Sequence, residues 1–282
     1  MRLERCRRTH FGKPTLNCIA ERPMADINLL LCGRVATVTM CRTHKRNALS
    51  AAFAGEIAAT LNEALRRNAR AVILRATPAC EVWSAGYDIS EIPSIGEDPL
   101  TWSNPVRVLM RCIESMPVTV IALLEGAVWG AACELALACD LVFATPDVTL
   151  LVPAVRLGVA YDTSGLQALQ RTLGARLLKE MLYTARAIPA TRLEQLGIVN
   201  GLLPGPEIAQ AVASIAESIA TNAPLSIAAM KEELRLLQNA CALTPSDFER
   251  LRSLRRQALN SRDATEGLEA ARDKRDPDFR GV

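Results

Sequence analysis

The sequence predicts an α/β protein, a layered core with parallel strand pairing followed by a helical region. Two observations carry this. Short apolar runs alternate with stretches of helical periodicity up to about residue 204, and such alternation brings successive strands into parallel register. Beyond that point the chain holds helical patterns bounded by prolines and little that reads as strand.

Taken in order, Ile27–Cys32 and Val35–Met40 read as strands, and Ser50–Asn68 as a helix in which Ile57, Leu61 and Leu65 recur at spacing four. The pattern repeats with a strand over Ala71–Thr77 and a helix that includes Val108–Met116. A third unit comprises a strand over Thr119–Leu124, a helix from about Trp129 onward and a strand over Leu141–Thr145. Ala175–Ala185 and Ala190–Gly197 read as helices, the second ended by Gly197 as a C-cap, and Ile198–Leu203 as a short apolar segment. Glu207–Thr221, Pro224–Asn239, Ser246–Asn260 and Thr265–Lys274 follow as helices, with Pro224, Pro245 and Pro277 as boundaries. This divides the chain into a disordered extension over residues 1–24, an α/β core over 25–204 and a helical region over 205–282. The extension is rich in arginine and lacks the apolar stretch of a secretion signal, and Met24, just ahead of the first strand, is expected to serve as an alternative start.

Composition excludes several function classes. The 282 residues are half hydrophobic, enough for a sizeable core, and a net charge of +3 with 4% aromatic residues argues against RNA binding. Only two histidines are present, His10 and His44, too far apart for a His-based metal site or an obvious Ser-His-Asp triad. Of the nine cysteines none forms a Cys-x-x-Cys pair. Cys32, Cys41, Cys112, Cys133 and Cys139 lie in apolar segments and read as small buried hydrophobes of a reducing compartment. With no run approaching ~18 apolar residues, the expectation is a cytoplasmic protein with no membrane partner.

Two stretches carry chemistry. In Glu125-Gly126-Ala127-Val128-Trp129-Gly130-Ala131-Ala132-Cys133-Glu134, small residues crowd a bend ahead of a helix, leaving room for a ligand against unpaired N–H groups. In Ser84-Ala85-Gly86-Tyr87-Asp88-Ile89-Ser90-Glu91, Asp88 and Glu91 have the spacing of a capping box, so a helix is expected to begin there. Two separately held backbone donors are what a thioester oxygen needs as it becomes an enolate oxyanion. Between strands, Arg42-Thr43-His44-Lys45-Arg46 is a basic loop suited to phosphate, with Asn47 or Ser50 as the following helix cap.

These two stretches resemble the signature segments of the crotonase (enoyl-CoA hydratase/isomerase) superfamily. Asp98-Pro99-Leu100, Val128-Trp129-Gly130, Leu157-Gly158-Val159-Ala160-Tyr161 and Lys274-Arg275-Asp276-Pro277-Asp278-Phe279 most resemble its methylmalonyl-CoA decarboxylase branch, over roughly Ile27–Val282. The resemblance implies a spiral of ββα units and a C-terminal helical region that assembles a homotrimer or a dimer of trimers. It further implies an acyl-CoA thioester as the partner, with backbone donors at Tyr87 and Ala131. Lys45, Ala85, Gly86, Asp88, Ile89, Arg107, Gly130, Pro153 and Lys274 are then expected along the substrate or its CoA. The chain departs from the branch at Tyr87, where histidine is usual, and at Ala131, where glycine is usual.

The reaction turns on the remaining polar residues. Hydratases of the superfamily commonly use two glutamates; Glu134 matches the first, and the second position falls on Ala154, which carries no proton. For a malonyl-type thioester that gap makes sense, because an ionised side chain ~4 Å from the substrate carboxylate would repel it by about 4 kcal/mol at an effective dielectric of ~20. Tyr161, a neutral donor at pH 7, is expected to hold the carboxylate, with Glu134 as the other catalytic candidate and Arg107 and Arg156 as further partners. The expected activity is decarboxylation of methylmalonyl-CoA or a close analogue, with no metal or redox cofactor. The alternatives are an enoyl-CoA hydratase or isomerase working with Glu134 alone, and a non-catalytic acyl-CoA-binding or RNA-binding scaffold.

Overall fold

A computed structural model describes residues 18–20, 26–78, 80–92, 101–238 and 245–280. Met24, the Asp98-Pro99-Leu100 segment and most of the expected N-terminal extension lie outside the described residues. The chain runs through β1 (Cys18–Ala20), β2 (Ile27–Cys32), β3 (Val35–Met40), α1 (Ala51–Arg66), β4 (Ala71–Ala76) and β5 (Val82–Ser84). Next come α2 (Pro105–Ser115), β6 (Thr119–Leu124), β7 (Ala127–Trp129), α3 (Ala131–Leu137), β8 (Leu141–Ala144) and β9 (Thr149–Leu151). After α4 (Thr163–Thr184), β10 (Ile188–Pro189), α5 (Ala190–Gln195) and β11 (Gly201–Leu202), four helices follow. They are α6 (Gly205–Thr221), α7 (Pro224–Gln238), α8 (Pro245–Leu259) and α9 (Arg262–Asp273).

The strands form two sheets. The larger has the order β1-β2-β3-β4-β6-β8-β11, antiparallel across β1, β2 and β3 and parallel from β3 onward. Its central strands are apolar at nearly every position because both faces are covered, as parallel sheets require. Val72, Leu74, Val120, Ala122 and Leu124 point inward with Phe53, Ile57 and Leu61 of α1 and Leu109 and Ile113 of α2. Ala71, Ile73, Ile121 and Leu123 point outward, where Ile208, Val212, Ala216 and Ala220 of α6 cover them. Thus α6, the first helix of the expected C-terminal region, completes the core.

The smaller sheet, β10-β9-β7-β5, is the feature the sequence reading missed. Its strands are two or three residues long, too short to display alternation. Strands β5, β7 and β9 are mutually parallel, pairing Ser84 with Val128 and Trp129 with Leu151. The segments that follow them therefore leave the sheet at one edge.

Other expectations need correction. Trp129 ends a strand instead of opening a helix, because Gly130 at φ 55°, ψ −127° breaks the backbone before α3. The helix expected from Ala175 begins at Thr163; Gly174, non-helical at φ 69°, interrupts it and hides the first half from a periodicity reading. Residues 18–20 of the extension form β1, which covers the edge that β2 would otherwise expose. Cys32, at this half-buried rim of the sheet, is disulfide-bonded instead of a free thiol, whereas Cys41, Cys80, Cys112, Cys133 and Cys139 are free. Among the described residues no helix is long and apolar enough to cross a membrane.

Helix α7 buries none of its residues, yet Lys231 anchors it: Nζ donates to Ile113 O (3.1 Å), Val118 O (3.0 Å) and Asp140 Oδ2 (2.7 Å). Asp140 Oδ2 also accepts from Val120 N, and burial raises its pKa against the lowering pull of Lys231. Lys231→Met leaves two carbonyls and a carboxylate without their cation, and is expected to cost about 2 kcal/mol in urea unfolding.

Candidate active site

Three segments leave the parallel edge of the smaller sheet: residues 84–88 after β5, 130–131 after β7 and 152–161 after β9. The first is fixed from one side by the turn ahead of α1, where Arg46 and Asn47 are left-handed. Buried Asn47 donates through Nδ2 to Trp83 O (2.9 Å), and its own carbonyl accepts from Ser84 Oγ (2.7 Å). Ala85 N donates to Arg46 O, Leu49 N to Gly86 O, and Asp88 N to Leu49 O. With the Gly86 carbonyl and the Asp88 amide turned toward Leu49, the Tyr87 N–H points the other way and finds no acceptor among the described residues.

The second segment comes to meet it. Gly130 N is held by Leu151 O (2.7 Å), and Ala131, the first residue of α3, has an N–H with no acceptor among the described residues. Gly86, at φ 80°, passes directly over this bend: a methyl group there would stand 2.3 Å from Trp129 O and 2.9 Å from Ala131 N. The contact is backbone on backbone, and it places the free amides of Tyr87 and Ala131 on adjoining turns.

The third segment brings a buried charge cluster. Arg107 of α2 gives Nη1 to Glu134 Oε2 and Nη2 both to Glu134 Oε1 (3.3 Å) and to Asp162 Oδ2. Asp162 caps α4, accepting from Gly165 N (3.0 Å) through Oδ1. All three charged side chains are almost wholly buried. The Tyr161 hydroxyl is buried beside Glu134 with no hydrogen-bond partner by distance and angle. Burial first, and then the charge of Glu134, push its pKa well above the ordinary phenol value. A methyl on Gly165 would lie within 2.8 Å of Arg107, Glu134 and Tyr161 alike, so a side chain there would have to displace the cluster.

The structure thus sets Gly86 and Tyr87 against the Gly130–Ala131 bend, and Glu134, one turn further along α3, against Arg107 and Tyr161. It changes some expected roles. Arg107, expected as a carboxylate partner of substrate, has both terminal nitrogens engaged by Glu134 and Asp162. The capping box does not form, because Glu91 turns away to accept from Ala51 N (2.7 Å) and Asp88 accepts from Ser90 N before one short 3-10 turn. Ser50, not Asn47, caps α1 through Phe53 N (3.2 Å). Lys45, Ile89, Arg156 and Lys274 are exposed, and Lys274 ends α9 in a left-handed conformation. Pro153 opens the 3-10 turn Ala154–Leu157, and Ala85 and Asp88 are half-buried in the first segment. The phenol of Tyr87 reaches the α2 cap, accepting from Asn104 Nδ2 (3.4 Å). Asp162 and Gly165 were missed, and Asn47 was read only as a helix cap; Asp162 followed by Thr-Ser-Gly carried the one available signal for the missed pair, that of an N-cap. No group of three or more metal-ligating side chains occurs among the described residues.

Gly86→Ala is expected to force the two turns apart and lower the thermal midpoint, since both the left-handed φ and the 2.3 Å approach forbid the methyl. Cys133, beneath the second turn, has its thiol pushed up to about 12 by burial, so it stays protonated in the fold. The native state then holds a proton that the unfolded state has released, and stability falls as pH rises from the ordinary thiol range toward 12. A thiol reagent at pH 8 is expected to modify Cys133 only under denaturing conditions.

Residues 32–282 match the family described as Enoyl-CoA hydratase/isomerase. The chain is 37% identical over 255 residues to methylmalonyl-CoA decarboxylase of Escherichia coli (strain K12), covering 90% of this chain and 98% of that protein. It is 29% identical over 249 residues to 2,3-dehydroadipyl-CoA hydratase of the same organism, covering 88% and 96%. Among solved structures, methylmalonyl-CoA decarboxylase in complex with 2-nitronate-propionyl-CoA superposes with a TM-score of 0.89 at 37% identity, over 91% of this chain and 98% of that one. In fold and in sequence, the chain belongs to the crotonase, or enoyl-CoA hydratase/isomerase, family.

Proposed function

We propose that the protein decarboxylates methylmalonyl-CoA, or a close malonyl-CoA analogue, to propionyl-CoA or the matching acyl-CoA. The observation that carries this reading is the state of Glu134: both carboxylate oxygens lie against Arg107, so the one glutamate that hydration chemistry would use is tied up. Ala154 occupies the position of the second. Decarboxylation needs neither. In the proposed reaction the thioester oxygen accepts from the Tyr87 and Ala131 amides, and the substrate carboxylate accepts from the Tyr161 hydroxyl. The C–C bond breaks with its electrons passing into an enolate held by the two amides; carbon dioxide leaves, and the α-carbon takes a proton from solvent water, leaving hydroxide to the bulk. A neutral phenol orients the carboxylate without the ground-state stabilisation that a cation would give. This chemistry asks for no metal or redox cofactor.

The similarity to a protein named methylmalonyl-CoA decarboxylase supports the reading, while the similarity to a named hydratase, together with the retained Glu134, supports enoyl-CoA hydration or isomerisation as the second. The exposed Leu225, Met230, Leu234 and Leu237 of α7 suit the face that a trimer or a dimer of trimers would cover. Release of labelled carbon dioxide from a panel of malonyl thioesters, set against hydration of crotonyl-CoA, separates the two activities; crotonyl-CoA turnover without carbon dioxide release would favour the second. Tyr161→Phe is expected to lower carbon dioxide release roughly 100-fold while propionyl-CoA binding stays nearly unchanged. Because burial keeps the phenol protonated, the rate should show no loss from its ionisation below about pH 10.

A further inference from the structure

We propose that Gly267, on the C-terminal helix α9, is a positioning residue for Tyr161. The inference rests on the reading of Tyr161 given above. Helix α9 turns one narrow face inward, made of Ala264, Gly267 and Ala270, and sets it against the 3-10 turn that precedes Tyr161. A methyl group on Gly267 would stand 2.4 Å from both the carbonyl carbon and the oxygen of Leu157. The approach is close from the other side as well, where a methyl on Gly158 would stand 2.4 Å from Asp263 O. All these neighbours are main chain, so no side chain can rotate out of the way.

Within its own helix this glycine is a poor choice. A helix interior favours alanine over glycine by about 1 kcal/mol, and Gly267 has no left-handed φ to require it. The crossing with Leu157 and Gly158 supplies the reason. Past that crossing Val159 N donates back to Ala154 O (3.1 Å), and on the far side Asp162 caps α4 and holds Arg107, so Tyr161 lies between a packed backbone contact and a buried ion cluster. The helix is tied to the segment that follows it: Asp278 N donates to Glu266 Oε1 (2.9 Å) and Arg280 N to Asp263 Oδ1 (2.8 Å), both acceptors lying ahead of Gly267 in the helix. Moving α9 outward moves the near anchor of Tyr161 and leaves the far one in place.

The test is a double-mutant cycle on the full chain, with Gly267→Ala, Tyr161→Phe and the pair. Carbon dioxide release from methylmalonyl-CoA and binding of propionyl-CoA are the readouts, and Glu269→Ala on the exposed face of α9 is the control. A displacement of the phenol by a fraction of an ångström is expected to lower kcat roughly 10- to 100-fold in Gly267→Ala, with propionyl-CoA binding retained. On the Tyr161→Phe background the same change should alter the rate by no more than about twofold, and the control should behave as wild type. Wild-type kcat in folded Gly267→Ala, or full additivity with Tyr161→Phe, overturns the proposal. If Tyr161→Phe alone leaves carbon dioxide release intact, the reading of Tyr161 fails and the proposal falls with it, a distinct outcome. Should Gly267→Ala fail to fold, Ala264→Gly takes its place. It loosens the same crossing without inserting an atom, and its loss of kcat must again vanish on the Tyr161→Phe background.

Discussion

Backbone lies on backbone where Gly86 crosses the Trp129–Ala131 bend, and the rest of the site depends on that approach. Two turns that each carry an unpaired amide can adjoin only if no side chain stands between them. The chain meets the condition twice over: residue 86 has no Cβ, and the smaller sheet pairs β5 with β7 in parallel so that both turns leave it at the same edge. The larger sheet contributes indirectly. Its inner face buries α1, and the turn leading into α1 grips residues 83–88 through Arg46, Asn47 and Leu49, pointing the Tyr87 amide away from its own neighbours.

The charge cluster supplies the second constraint. Arginine is charged at any accessible pH, and burying it is costly unless its hydrogen-bonding capacity is used. Here one guanidinium is shared by carboxyl groups from two further elements, tying α2, α3 and the start of α4 into one unit. Both oxygens of Glu134 face that guanidinium. The fold therefore spends Glu134 on holding its own elements together, and two buried polar groups of the cluster, the Tyr161 hydroxyl and Arg107 Nε, are left without a hydrogen-bond partner.

Much of this could be read from the residues, and the failures have physical causes. The larger sheet was legible because its strands are long enough to show their apolar runs, continuous in β6 and interrupted by Asn28, Thr37 and Thr39 in β2 and β3, so all three begin and end where the sequence places them. The smaller sheet was not: three residues cannot show a period, and its strands are defined by pairing across long separations in the chain. The turns at Gly86 and Gly130 were legible as crowding by small residues. The partners of Glu134 were not, since Arg107 and Asp162 are brought to it only by the packing of α2 and α4 on α3. Likewise Asn47 looked like a cap by residue type, but the tertiary contact with Trp83 and Ser84 outweighed that local role.

The arrangement also bears on the two positions, Tyr87 and Ala131, at which the sequence is expected to depart from the family pattern. Tyr87 and Ala131 are expected to act through main-chain N–H groups, and a side chain matters there only if it blocks the turn. The Tyr87 phenol is carried off to Asn104 at the start of α2, and its burial raises the pKa, so it adds no charge near neutral pH. The Ala131 methyl is buried and points into the core. By contrast, the approach between the two turns leaves no room at Gly86 for even one carbon. Positions whose contribution is an amide can therefore vary in side chain, whereas the position whose contribution is the absence of a side chain cannot, and this asymmetry follows from the geometry alone.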